Sequence, residues 1–182
     1  MSKSRGNGIS PDDILAQYGA DVMRLWVASS DYRQDMRISK DMLGHLSQNY
    51  LKIRNTARYI LGNLFDFNPQ TDKIAYTELP ELDKWALMKL NELVAKVREG
   101  YDSYEFHTVF HTIHKFCVVD MSNFYLDVIK DRLYCDDTTG LSRRSAQTAM
   151  YNILSALVRM LSPILCFTAD EIWQAMPHTE ED

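Results

Sequence analysis

The chain has 182 residues, of which 46% are hydrophobic and 25% are charged, and its formal net charge at pH 7 is −5. These values are typical of a globular protein with a buried core, and they exclude both a disordered chain and an overall positive field that attracts nucleic acid. A surface that binds nucleic acid must therefore be a local basic patch. The three cysteines form no Cys-x-x-Cys pair, which favours reduced thiols in the cytoplasm over a disulfide framework or a zinc site. We therefore expect no bound metal.

The first predicted elements are two short helices. Ser10 is a candidate cap for a helix that begins with a proline, because serine accepts hydrogen bonds from helix amides and proline fits the first turn. Gly19 is suited to end this helix, and a second helix is predicted over 20–29. Residues 35–39 alternate loosely, which predicts a short extended segment, and Ser39 is a candidate cap for the next helix.

Four long amphipathic helices follow, each indicated by apolar residues at three- and four-residue spacing. The stripe of the first is Leu46, Tyr50, Ile53, Ala57, Ile60 and Leu64. The second starts at Pro80, the third is one continuous helix over 105–133, and the fourth covers 142–161. The spacing of Thr168 and Glu171 predicts a capping box before a final short helix. The sequence thus predicts an all-α fold, a helix bundle preceded by a short helical subdomain. The apolar run at its end is interrupted by charge and proline, so no membrane partner is expected.

Two polar features occur in the third long helix. His107, His111 and His114 share one helical face, but metal binding needs a further close ligand, so a partly buried polar stripe is expected. Asp120 falls on the predicted apolar face, where an unpaired carboxylate is costly. We therefore expect a buried structural partner for Asp120, either an arginine or several N–H or O–H donors.

A stretch without acidic residues carries three basic side chains, Lys52, Arg54 and Arg58. Two interpretations stay open, a solvated helix face and a patch that contacts phosphates. In the second, Tyr50 or Tyr59 would stack on an unpaired base if exposed. A second basic group, diluted by nearby aspartates, comprises Lys130, Arg132, Arg143 and Arg144.

The chain opens on a loop with one lysine between two serines, at Ser2, Lys3 and Ser4. Lysine is a point charge on a long stem that suits a polyphosphate, and serine hydroxyls add neutral hydrogen bonds. Taken alone this pattern is weak, because basic loops rich in serine and glycine are common.

This loop and the residues after it resemble the second signature of class I aminoacyl-tRNA synthetases. The matching residues are Met1-Ser2-Lys3-Ser4, Gly6-Asn7 and Gly19-Ala20-Asp21 with Arg24. Farther along, the segments 26–32, 52–56, 116–120 and 123–132 are similar to isoleucyl members of that family rather than to valyl or leucyl members. The resemblance extends to about residue 177. Because the family's nucleotide-binding and editing domains precede this signature, it implies a piece of a longer synthetase.

The resemblance implies two regions, a signature loop with a connecting subdomain over 1–39 and an anticodon-binding bundle over 40–182. It implies that Lys3 acts on the ATP phosphates, with Ser2 and Ser4 shaping the loop. The intact enzyme would join isoleucine to its tRNA with ATP and Mg²⁺ through an aminoacyl-adenylate. The piece alone is expected to be inactive and to bind no cofactor.

The resemblance also implies that the bundle holds tRNA, which favours the phosphate-contacting interpretation of Lys52, Arg54 and Arg58. A cytoplasmic monomer is expected. Two alternatives stay open. One is a fragment of a valyl- or leucyl-tRNA synthetase, and the other is a non-enzymatic helical module that binds RNA or protein.

Overall fold

The computed structural model of the chain describes residues 10–36 and 38–178, which contain α-helices, one 3₁₀ turn, one π-helical segment and no β-strand. The helices are α1 (Pro11–Tyr18), α2 (Ala20–Ser29), α3 (Lys40–Gly62), α4 (Glu81–Asp102), α5 (Phe106–Lys115), α6 (Leu126–Val128), α7 (Lys130–Tyr134), α8 (Leu141–Leu161) and α9 (Cys166–Ala175). The prediction of an all-α helix bundle is confirmed. The extended segment expected at 35–39 forms no strand in its described residues.

The predicted caps at both ends of α1 and at the start of α3 are present. The Ser10 hydroxyl accepts a hydrogen bond from the Asp13 amide at 3.2 Å, and the Asp13 carboxylate accepts one from the Ser10 amide at 3.3 Å. This reciprocal pair is a capping box. Gly19 separates α1 from α2 with φ of 82°, a left-handed conformation that glycine adopts without strain. The Ser39 hydroxyl accepts from the Met42 amide at 3.2 Å and starts α3.

Helix α8 lies at the centre of the bundle. Fourteen of its 21 residues are buried, and the helix packs against α3, α4, α7 and α9. The other long helices bury one stripe each, as their spacing predicts. Within the described part of the chain, no helix is both long enough and apolar enough to cross a lipid bilayer.

The long helix predicted over 105–133 is wrong as one continuous element. Helix α5 ends at Lys115, a π-helical segment covers Phe116–Tyr125, and the short helices α6 and α7 follow. In a π-helix the hydrogen bonds join residues five apart, so each turn holds more residues than an α-turn. Within the segment, Cys117, Met121 and Tyr125 therefore share the buried face at four-residue spacing. An α-helical wheel places Phe124 on that face, whereas it is 44% exposed.

The capping box predicted at Thr168 is also wrong, because α9 begins two residues earlier. The Thr168 amide instead donates to the buried carboxylate of Asp21 in α2 at 2.7 Å, and its hydroxyl donates to the same oxygen. On the same helix, Arg24 donates to the carbonyl oxygens of Pro163 and Ile164, both at 2.8 Å. Helix α2 is thus joined directly to the turn between α8 and α9.

Candidate nucleic-acid interface

Helix α3 exposes all three basic side chains of the predicted patch, but not on one side. Arg54 and Arg58 are four residues apart and therefore share a face. Arg54 reaches Glu171 of α9, which locates this face beside α9. Lys52 lies toward His114 of α5, whose pKa is lowered by burial and further by the positive charge of Lys52. The structure therefore brings Arg54 and Arg58 together and places Lys52 apart from them.

Arg54 already forms an ion pair with the carboxylate of Glu171. Its guanidinium donates to both carboxylate oxygens of Glu171, at 2.9 and 3.1 Å, and this hydrogen bonding raises the pKa of Arg54. Both side chains are largely exposed, and ion pairs of this kind contribute little stability. A phosphate offers the same two-oxygen geometry, so it can replace Glu171 at small cost. Arg58 is exposed and makes no ion pair among the described residues.

The two tyrosines considered for base stacking are partly buried against the core. The Tyr50 hydroxyl shares a hydrogen bond of 2.9 Å with Thr168. The Tyr59 hydroxyl lies 3.5 Å from the Leu126 carbonyl, and burial raises its pKa, with a further contribution from Tyr134. Because both rings are partly buried against the core, neither tyrosine is available to stack on an unpaired base.

Exposed aromatic rings do occur near the end of α3, and sequence reasoning missed them. Phe65 is 80% exposed and Tyr134 is 64% exposed. Exposed aromatic side chains are suited to stack on unpaired bases. Both are apolar positions in the sequence, where nothing distinguishes them from core residues, so only their exposure reveals them.

Asp83 is the most deeply buried carboxylate that the structure describes, at 0% exposure. Arg132 of the second basic group donates to both its oxygens, at 3.0 and 2.6 Å, and the Tyr125 hydroxyl donates at 2.7 Å. Sequence reasoning also missed Asp83. A signal existed, because position 83 continues the stripe of Ala86 and Leu90 and so places a carboxylate on the apolar face of α4.

Two further arginines of the second basic group are committed to Asp66. Arg143 is buried and donates to both carboxylate oxygens of Asp66, and Arg144 lies 3.6 Å from it and 3.5 Å from Asp72. Burial opposes ionisation of Asp66, but hydrogen bonds from Arg143 and Gln147 outweigh it and lower the pKa. These arginines hold the end of α3 against the start of α8 rather than forming a free basic surface.

The histidines form a polar stripe along α5, as expected. His111 is exposed, while the Nε2 atom of His114 is buried and has no hydrogen-bond partner in the described part of the chain. Burial lowers the pKa of His114, and the positive charges of Lys52 and His111 add to this effect. No group of three His, Cys, Asp or Glu side chains among the described residues is placed to hold a metal ion.

The buried partner expected for Asp120 is absent, and that prediction is wrong. Asp120 is partly exposed and lines a groove between α4 and α5 together with Lys89, Lys96 and Lys115. Its carboxylate makes no hydrogen bond or ion pair with the residues that the structure describes. The reason is the π-helical register, which turns position 120 away from the core and into the groove.

The loop residues Ser2, Lys3 and Ser4 lie outside the described residues, so their role on ATP phosphates stays a prediction.

In the comparison with known proteins, two family models match separate parts of the chain. Residues 83–182 match the family model of the anticodon-binding domain of tRNA ligase, and residues 1–39 match that of class I tRNA synthetases (I, L, M and V). The isoleucine–tRNA ligase of Caldicellulosiruptor bescii is 58% identical over the whole chain, and that of Syntrophotalea carbinolica is 55% identical over 97% of it. The chain spans about one fifth of the length of these curated relatives, 20% and 19% respectively.

Among solved structures, the chain is similar to the LeuRS of Agrobacterium radiobacter K84 in its ternary complex with tRNA and LeuAMS. The TM-score is 0.67 with 17% sequence identity, over 96% of this chain and 20% of that one. At this identity the likeness shows a shared fold. Because the anticodon-binding model covers more than half of the residues, the chain belongs to the family of anticodon-binding domains of tRNA ligases.

Proposed function

We propose that the chain is the tRNA-binding part of an isoleucine–tRNA ligase. The observation that carries this proposal is the identity of 55–58% to relatives of that name over 97–100% of the chain. The regions are a signature loop and connecting subdomain over 1–39 and an anticodon-binding bundle over 40–182. The intact protein would join isoleucine to its tRNA with ATP, as a cytoplasmic monomer. Valyl or leucyl specificity is less favoured, since the similarity to a LeuRS rests on fold alone.

The bundle would bind tRNA mainly through α3. Arg58 donates to a phosphate directly, Arg54 exchanges Glu171 for a phosphate, and Lys52 contacts the backbone on the side toward α5. Asp21 and Arg24 hold α2 on the α8–α9 turn, so the connecting subdomain moves with the bundle. This linkage fixes the position of α2 relative to the proposed tRNA surface.

In the intact enzyme, Lys3 would stabilise the negative charge that develops on the pyrophosphate leaving group as the amino acid is activated. Ser2 and Ser4 would shape the loop around it. Mg²⁺ would act with ATP, but the described residues contain no group that fits the ion, and no step here depends on it.

The test is tRNA binding by the chain, measured by fluorescence anisotropy over a salt series of about 50 to 200 mM. We expect isoleucine tRNA to bind more tightly than an unrelated tRNA. The variant Arg58→Ala should lower the slope of log K against log salt by about 0.7 to 0.9, the value for one lost phosphate contact. The matched control is Arg98→Ala, which removes an equally exposed arginine from α4.

A second variant tests Arg54. Because Glu171 competes with phosphate for its guanidinium, Glu171→Gln should strengthen binding, whereas Arg54→Ala should weaken it. Equal binding of both tRNAs, or identical effects of Arg58→Ala and Arg98→Ala, contradicts the proposal.

A further inference from the structure

The groove between α4 and α5 is a second basic surface, which the sequence pattern does not indicate. The two helices form an antiparallel pair, and the groove of about 180 Å³ lies along their junction. Its lining residues are Lys89, Glu92, Leu93, Lys96, Thr112, Lys115, Phe116 and Asp120. Three ammonium groups on two helices thus surround one concave site.

The charges in this groove are not all neutralised. Lys89 is paired with Glu92 at 3.0 Å. Lys96 and Lys115 are exposed and form no ion pair with the described residues, and neither does Asp120. Two lysines on flexible stems therefore line one shared space. A phosphate oxygen cluster is the ligand that such point donors suit.

The groove is continuous with the α3 surface proposed to bind tRNA. Helix α5 and the π-helical segment, which carry Lys115 and Asp120, pack against α3 as well as against α4. His111, one turn before Lys115 on α5, is exposed. Lys52 on α3, Lys115 on α5 and Lys96 on α4 are thus exposed lysines on three helices that pack together, on a chain whose net charge is −5. Such a local field attracts a polyanion even though the whole chain does not.

The floor of the groove is the start of the π-helical segment. Phe116 is its first residue and Asp120 lies within its first turn. Segments of this kind are rare and occur frequently at functional sites. Here the π-register places a carboxylate beside Phe116 in the groove, and its negative charge offsets the mutual repulsion of the lysines.

We propose that this groove binds a backbone phosphate of tRNA, with Lys96 and Lys115 as the donors and Asp120 as a charge that weakens the contact. The inference rests on the proposed function and extends its surface from α3 across α5 to α4. Lys89 contributes less, because Glu92 holds its ammonium group.

The experiment measures affinity and salt slope for isoleucine tRNA in two groove variants. The double variant Lys96→Ala/Lys115→Ala should bind about tenfold more weakly, with a salt slope lower by about 0.7 to 0.9, as the loss of one phosphate contact requires. Asp120→Asn should bind severalfold more tightly. These are exposed or partly exposed positions, so circular dichroism should show an unchanged fold.

Matched controls separate a groove contact from the effect of net charge. The double variant Lys73→Ala/Arg98→Ala removes two exposed positive charges elsewhere, and Asp102→Asn removes one exposed negative charge. We expect both controls to bind as the unmodified chain does. If the unmodified chain prefers isoleucine tRNA but the groove variants match their controls, the groove proposal alone is overturned. If the unmodified chain binds no tRNA, both proposals are overturned.

Discussion

For the buried pair of Asp83 and Arg132 we predict the largest loss of stability on substitution. Replacing Asp83 with Asn keeps the side-chain volume but removes the charge that faces the guanidinium at 3.0 and 2.6 Å. Breaking a buried ion pair costs about 3–5 kcal/mol, because the remaining charge is left uncompensated. Arg132 keeps hydrogen bonds to Ser142 and its side chain is 19% exposed, which favours the lower end of this range. We therefore expect Asp83→Asn to lower the free energy of unfolding by about 3 kcal/mol.

The assay is urea unfolding monitored by far-ultraviolet circular dichroism. For a domain of this size, the expected loss in the free energy of unfolding corresponds to a decrease in Tm of about 6–12 °C. The control Lys130→Ala removes a lysine from an exposed pair with Asp127 and should leave Tm unchanged. Combining Asp83→Asn with Arg132→Met should cost less than the sum of the single changes, by about 1–3 kcal/mol. If Asp83→Asn loses less than about 1 kcal/mol, or if the effects of the two substitutions simply add, the buried pair does not stabilise the fold as described.

Three further changes test packing, capping and protonation. Asp21→Ala removes the acceptor at the start of α9 and should cost about 2 kcal/mol in urea unfolding, and no loss would count against that cap. Gly100→Ala should destabilise the fold, because the new Cβ lies 2.8 Å from a methyl group of buried Val109. Gly44→Ala should stabilise the fold by up to about 1 kcal/mol, because open space surrounds the new Cβ and alanine favours a helix. A change of the same sign in the free energy of unfolding for both variants would be the contrary result. Because burial lowers the pKa of His114 in the folded state, the unfolded chain takes up this proton first as pH falls below 6.5, and stability is lost there. His114→Gln should reduce that loss in thermal melts across this range, and an unchanged pH dependence would contradict the assignment.

Helix periodicity predicted most of the fold, because each long helix buries a single stripe. It failed where backbone geometry leaves the α-helical period. Over Phe116–Tyr125 the hydrogen-bond register changes, so an α-helical wheel wrongly placed Asp120 on the core. The capping box predicted from local spacing failed because the Thr168 amide donates instead to the carboxylate of Asp21, which is distant in the chain. Neither effect is encoded at a fixed spacing in the sequence.

The candidate interface was only partly predictable for a similar reason. Spacing along α3 identified Arg54 and Arg58 as neighbours, but it carried no information about Glu171, which is 117 residues away from Arg54 in the chain. The groove on α4 and α5 depends on how two helices pair, so its lysines belong to no local pattern. Contacts between residues distant in the chain determine which arginines are already ion-paired, such as Arg132, and which can bind a phosphate.

We propose that this bundle recognises the anticodon region of isoleucine tRNA. The most direct measurement is competition against labelled isoleucine tRNA by two fragments of it, the anticodon stem–loop and a minihelix of the acceptor stem, at equal salt. We expect the anticodon stem–loop to displace the tRNA and the minihelix to leave it bound. Equal displacement by the two fragments, or displacement by the minihelix alone, would contradict it.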